Sequence, residues 1–154
     1  MTCGKICSGK STYARKLCKK YRAVLLSVDE ITLALLGNEA GEKLDEYVVK
    51  TEAYLFEKSV EIIKTDINVV LDWGLWTKRE RDEAKEFYRK HGIPCEIHYL
   101  DISDEEWYNR IQKRNADIAA GTVNAYIVDE GLAEKVRGLF EKPEENEIDV
   151  YVNT

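Results

Sequence analysis

Gly4-Lys5-Ile6-Cys7-Ser8-Gly9-Lys10-Ser11-Thr12 is the stretch on which the fold turns. It matches G-x-x-x-x-G-K-[ST] in full. Average residue usage produces that match by chance in roughly one chain of this length in a few hundred. The pattern has a physical logic. A phosphate chain is wrapped by backbone N–H groups, so the loop must lack Cβ atoms at its tightest points, and Gly4 and Gly9 provide that freedom. A helix starting near Lys10 aims its free amides and positive dipole end at the phosphates. The backbone from Gly4 through Lys5, Ile6, Cys7, Ser8 and Gly9 to Thr12 would form the cradle. Lys10 would reach the β- and γ-phosphates, and the Ser11 hydroxyl would ligate Mg²⁺. Only Met1-Thr2-Cys3 precede Gly4, so the strand feeding the loop is expected to be very short or cut.

The surrounding chain suits one α/β unit. Its 154 residues fit a single domain, 1–154. With 44% hydrophobic and 34% charged residues, bulk disorder is excluded. No apolar run approaches the roughly 18 residues of a membrane-spanning helix, and no apolar segment near the start marks a secretory signal. The net charge of −6 argues against bulk attraction to nucleic acid or anionic lipid. That charge is uneven: residues 1–22 carry +7 and the remainder −13. The basic start suits one compact anion, although Arg15, Lys16, Lys19, Lys20 and Arg22 read mainly as a solvated face. Cys3, Cys7, Cys18 and Cys95 form no CxxC pair and no Cys/His cluster, so neither zinc nor a disulfide framework is expected. Reduced thiols in a cytoplasmic protein are the expectation.

Short apolar runs alternate with helical patterns, which predicts a parallel sheet. The strands are expected at Ala23–Val28, Ile67–Asp72, Cys95–Asp101 and Ile148–Asn153. A long helix is expected over Glu42–Lys64, with Leu44, Tyr47, Val48, Thr51, Leu55 and Ile62 as its apolar stripe. Further helices are expected over Lys78–His91, from a Ser103/Glu106 capping box to about Asn115, and over Glu130–Phe140. The irregular stretch around 115–128 reads as a loop or lid, about 110–128 with its arginines.

The class of the loop is set by the segments that accompany it. There is no Asn-Lys-x-Asp segment of a GTPase and no Leu-Ser-Gly-Gly signature of an ABC ATPase. Motor-type ATPases follow an apolar strand with Asp-Glu, the Glu polarising water. Here Val69-Val70-Leu71-Asp72 is followed by Trp73, so a Mg²⁺-directed Asp is present and the water-activating Glu is not. That favours transfer to a substrate over hydrolysis.

Together these segments resemble the small P-loop kinase-like proteins related to zeta toxin, chloramphenicol phosphotransferase and the 5′-kinase domain of polynucleotide kinase. The chain is most similar to the bacterial AAA-domain kinase-like group. The landmarks are Gly4–Thr12, Ser27-Val28-Asp29-Glu30, Asp72-Trp73-Gly74-Leu75-Trp76, Arg81, Arg110, Arg114 and Phe140-Glu141-Lys142-Pro143. The resemblance implies a three-layer P-loop fold, a five-stranded parallel sheet of order 2-3-1-4-5, and Mg·ATP as donor.

It also implies roles. Asp29, at the carboxyl edge of a strand where ligands bind, would accept the proton of an attacking hydroxyl. The alternative is a helix N-cap. Asp72 would hold Mg²⁺ through water, or simply end a strand. Arg110 and Arg114 share a helix face and would stabilise the transferring phosphoryl group and contact ATP. Arg110 could instead pair with Glu106 on a solvated helix. Trp73 and Trp76 would wall the acceptor or pack in the core, and Arg81 would bind an acceptor anion. The acceptor would lie against a helical region at about 30–65. Thr32 stands where the polynucleotide-kinase group carries an arginine for the acceptor phosphate, which disfavours a nucleic-acid end. The expected function is therefore transfer of the γ-phosphoryl group of ATP to a small-molecule hydroxyl. A 5′-end kinase, or a nucleotide-binding regulator without transfer, is the alternative.

Overall fold

A computed structural model describes residues 1–37 and 44–154. The start of the long helix expected from Glu42, and part of the 30–65 acceptor region, lie outside the described residues. The elements run β1 (Thr2–Cys3), α1 (Lys10–Tyr21), β2 (Val24–Ser27), α2 (Val28–Leu36), α3 (Leu44–Ile63), β3 (Val69–Asp72), α4 (Lys78–Lys90), β4 (His98–Asp101), α5 (Asp104–Ala119), α6 (Glu130–Leu139), a short 3-10 turn (Glu145–Glu147) and β5 (Val150–Asn153). Every expected strand is present, each shortened at its start and β2 also by one residue at its end.

The expected continuous five-stranded sheet is not formed. All pairings are parallel, but they fall into two sheets, β1-β4-β5 and β2-β3. The cause is local. β1 has two residues, enough to pair with His98 and Tyr99 on one edge and too few to ladder on the other as well. On the β3 side a side chain does the joining. Thr2 Oγ1 accepts from Trp73 N (3.1 Å) and donates to Trp73 O (2.9 Å), and Gly4 N donates to Gly74 O (2.9 Å). β1 therefore lies beside β3 across a seam with no strand ladder.

Side-chain alternation divides the layers. Val69 and Leu71 of β3 face a cluster with Val28, Leu55, Val60 and Tyr88 from α2, α3 and α4, and with Trp73 just after β3. Val70 is buried on the opposite face, where α1 packs on β3. A separate cluster, Ile102, Trp107, Ile111, Val128 and Val136, holds α5 and α6 together and reaches Ile6 and Cys7 of the loop. Along α3 the buried stripe is Leu55, Ser59 and Val60, flanked by the partly buried Val48, Phe56 and Ile63. Tyr47 is exposed, because the stripe lies one position further round than the expected one.

α5 continues to Ala119, so half of the expected 110–128 lid is regular helix. Asn115 pins the far end of the remaining loop: Nδ2 donates to Val128 O (2.7 Å) and Oδ1 accepts from Val128 N (3.0 Å). Ser103 caps α5, but the reciprocal half of the expected box is missing because Glu106 turns to Arg110. The reciprocal box occurs instead at Thr77 and Glu80 of α4. Among the described residues no helix is long and apolar enough to cross a membrane.

Candidate functional site

The loop between β1 and α1 has the geometry of an anion cradle. Gly4 sits at φ +147°, and a Cβ there would lie 2.8 Å from Leu100 O and 3.0 Å from Ser8 Oγ. Gly9 is the N-cap of α1 and offers no side chain, and the first turn carries no acid. α2, α4, α5 and α6 are each capped by a side chain, from Ser27, Thr77, Ser103 and Asp129. The first amides of α1 are thus open to a ligand, with the positive end of the helix dipole behind them. Lys10 folds over the loop, its Nζ donating to Gly4 O (2.9 Å) and Lys5 O (2.6 Å). Burial lowers the Lys10 pKa, and the carboxylates of Asp72 and Asp29 oppose that shift.

One face of α5 clasps this loop residue by residue. Asp104 accepts from Lys5 Nζ (2.7 Å), and Trp107 Nε1 donates to Ile6 O (2.7 Å). Arg110 Nη1 donates to Ser8 O (3.2 Å), and Arg114 Nη1 lies 3.6 Å from Cys7 Sγ. The sequence singles out the two arginines and gives no comparable sign for Asp104 and Trp107, although positions 104, 107, 110 and 114 already share helical spacing. Arg110 is largely committed, since its Nε also bonds Glu106 Oε1 (2.7 Å). Arg114 is not: its Nε is buried without a partner among the described residues.

Asp29 lies in the first turn of α2, but the cap is Ser27, whose side chain accepts from Glu30 N. The capping alternative therefore falls away. The carboxylate opens to solvent yet is crowded by protein atoms, and desolvation raises its pKa, opposed by Lys10 and Arg114 and reinforced by Asp72. Asp72 ends β3, half-buried, with Oδ1 near Thr2 Oγ1 at 3.4 Å. Asp29 thus feels the charges of Lys10, Arg114 and Asp72, and Lys10 those of Asp72 and Asp29, beside the loop. Ser11 is exposed beside it.

A metal beside the loop would find one hydroxyl, Ser11, and one carboxylate, Asp72. No group of three or more His, Cys, Asp or Glu among the described residues could hold a metal ion by itself. So sparse a donor set fits Mg²⁺, which keeps its waters and takes substrate phosphates as ligands.

Of the expected acceptor contacts, Arg81 and Trp76 are placed elsewhere, and Trp73 is mostly packed in the core. Arg81 is 1% exposed, its Nε bonded to Glu147 Oε2 (2.6 Å) and its Nη1 to Leu75 O (3.0 Å). It is a buried structural ion pair, unavailable to an acceptor anion, because Glu147 reaches it from the turn before β5. Trp73 is 4% exposed, packed edge-on to Phe56 with centroids 4.4 Å apart. Trp76 packs on the α5–α6 cluster, crossing Gly74 so closely that a Cβ there would lie 2.2 Å from its Nε1. The two tryptophans sit in different cores and do not form one wall. Thr32 is buried, its hydroxyl bonded to Val28 O (3.0 Å).

The parallel α/β architecture and this loop define a P-loop fold of the kind kinases share. The AAA domain family (AAA_33) matches residues 1–134, and the chain belongs to it. Solved structures share the fold at low identity. A kinase-like protein of Chloroflexus aurantiacus superposes with TM-score 0.74 at 16% identity, over 99% of this chain and 81% of that one. The APS kinase of Mycobacterium tuberculosis, solved with AMPPNP and APS, gives 0.67 at 16% over 99% and 85%. A gluconokinase of Sinorhizobium meliloti gives 0.67 at 15% over 99% and 79%. In sequence, a 75-residue stretch, 47% of this chain, is 41% identical to reverse gyrase 2 of Aquifex aeolicus (strain VF5). The chain spans only 6% of that protein's length.

Proposed function

We propose that the chain transfers the γ-phosphoryl group of Mg·ATP to a hydroxyl of a small molecule. The observation that carries this reading is the meeting of Lys10, Asp29, Asp72 and Arg114 over an uncapped helix N-terminus. The amides of the loop and Lys10 bind the phosphates. When bound, Mg²⁺ would be held by the Ser11 hydroxyl and, through water, by Asp72, and would neutralise charge on the β- and γ-phosphate oxygens. Asp29 orients the acceptor hydroxyl and takes its proton as the acceptor oxygen bonds to the γ-phosphorus. The bond from that phosphorus to the bridging oxygen breaks, and ADP leaves. Burial makes Asp29 a stronger base, while Lys10 and Arg114 favour its ionised form. The unpartnered Arg114 Nε supplies a donor for the transferring oxygens. Arg110 supports the loop.

The gluconokinase and APS kinase neighbours lend support, since both names describe small-molecule acceptors. The carboxylates beside Asp29 disfavour a polyanionic nucleic-acid end. The four cysteines are free, which suits a reducing cytoplasm. Titration of Mg·ATP by calorimetry tests the reading, with Lys10→Ala alongside. Micromolar binding that the substitution abolishes is expected; a folded wild-type protein that takes up no nucleotide would remove it.

A further inference from the structure

Between α3 and α4 lies a cavity of about 270 Å³, just below the range for small-ligand sites, and Glu52 in its lining feels the charge of Asp29. Its floor is aromatic: Phe56 lies 4.4 Å from Trp73 and 5.0 Å from Phe87, centroid to centroid. Its rim is acidic, with Glu52 from α3 and Glu80 and Glu83 from α4, and no Lys or Arg among the described residues lines it. Helical spacing puts Glu52 and Phe56 on one face of α3, and Glu83 and Phe87 on one face of α4.

The cavity holds two groups of opposite need. Glu83 pairs with the exposed Arg79 (2.7 Å), and Glu80 accepts from Thr77 N (3.1 Å). Glu52 is half-buried and makes no hydrogen bond or ion pair among the described residues. Burial, then the charges of Glu80 and Asp29, push its carboxyl up to about 7. Such a group lacks a cation. Trp73, 4% exposed, has an indole N–H with no partner, and so lacks an acceptor. A carboxylate rim over aromatic faces is the combination that recognises an ammonium group.

We infer that this cavity is the acceptor subsite and that it selects a small amino alcohol, its ammonium group held by Glu52 over the Phe56 and Phe87 rings and an oxygen accepting from Trp73 Nε1. The inference rests on the phosphotransferase reading, because it places the reacting hydroxyl at Asp29.

Three probes with the same three-carbon frame separate charge from shape: 2-aminopropane-1,3-diol, glycerol and glycerate. Each is titrated into protein loaded with Mg·AMPPNP at about pH 8, where Glu52 is largely ionised and the amine still protonated. The amine binds at least about tenfold more tightly than glycerol, and glycerate binds most weakly. Glu52→Gln erases the preference for the amine and leaves Mg·AMPPNP affinity unchanged. Near pH 7, amine binding expels the Glu52 proton, so the heat depends on the ionisation enthalpy of the buffer, and Glu52→Gln removes that dependence. Trp73→Phe weakens amine and glycerol alike. Glycerol or glycerate matching the amine, or no amine binding by protein that holds Mg·AMPPNP, overturns the subsite alone. Failure to hold Mg·AMPPNP, or equal affinity in Lys10→Ala, overturns the phosphotransferase reading and the subsite with it.

Discussion

Arg81→Met lowers the folding free energy by about 3–5 kcal/mol, the usual cost of stripping one partner from a buried ion pair. Arg81 and Glu147 are 1% and 6% exposed and meet at 2.6 Å. Removing the guanidinium leaves Glu147, among the described residues, with Lys78 Nζ at 3.4 Å as its remaining ion-pair partner and takes the donor from Leu75 O and Trp76 O. Arg81→Met combined with Glu147→Leu costs much less than the sum of the two single changes, because no uncompensated charge stays behind. Urea unfolding of the four proteins measures this; additive losses would show that the two side chains act independently. The pair also has a pH signature. Burial raises the Glu147 pKa, but hydrogen bonding and charge from Arg81, with Lys78, more than offset it, so the net value falls below the ordinary 4.5. A depressed carboxyl stabilises above its unfolded pKa. That contribution disappears as pH falls below 4.5 through the folded value. The double variant lacks this part of the acid sensitivity.

The second large effect concerns chemistry. Asp29→Asn reduces phosphoryl transfer by about 10²–10⁴-fold, the range for a positioned general base, while Mg·ATP affinity stays within a few-fold. Transfer is followed as label passing from γ-labelled ATP into an ultrafiltered metabolite extract, so the acceptor need not be named beforehand. Asn keeps the shape and hydrogen-bonding edge of Asp and loses the ability to take a proton. Equal transfer by the variant would exclude Asp29 as the base. Because Ser27 caps α2, a loss of activity will not reflect a frayed helix.

The fold was largely legible because its signals are local. The phosphate loop is a backbone device written in glycines, and the strands and helices arise from short-range periodicity. The position of a candidate residue was legible where it ends or closely follows a strand, as with Asp72 and Asp29. It was not legible where a distant residue decides the outcome. Nothing near Arg81 announces that Glu147, 66 positions later, neutralises it in the core. Nothing near Trp73 or Trp76 says that the chain turns between them into separate clusters. Glu52 carried no motif at all; only the packing of α3 against α4 shows it as a carboxylate without a partner.

The seam between β1 and β3 divides the site itself. Asp29 and Asp72 ride on the β2-β3 sheet, while the phosphate loop and Arg114 ride on the β1-β4-β5 sheet. A triphosphate held from both sides is therefore a cross-brace, joining two panels whose seam is bridged by the Thr2 hydroxyl on Trp73 and by Gly4 N on Gly74 O. Nucleotide at a hundred times its Kd adds about 2.7 kcal/mol to stability by mass action. Amide exchange should slow most along that joint, from Thr2 to Gly4 and from Trp73 to Leu75, rather than evenly over the sheet. Occupancy would then determine how tightly the molecule is put together, and the empty protein would be the more readily opened and proteolysed form.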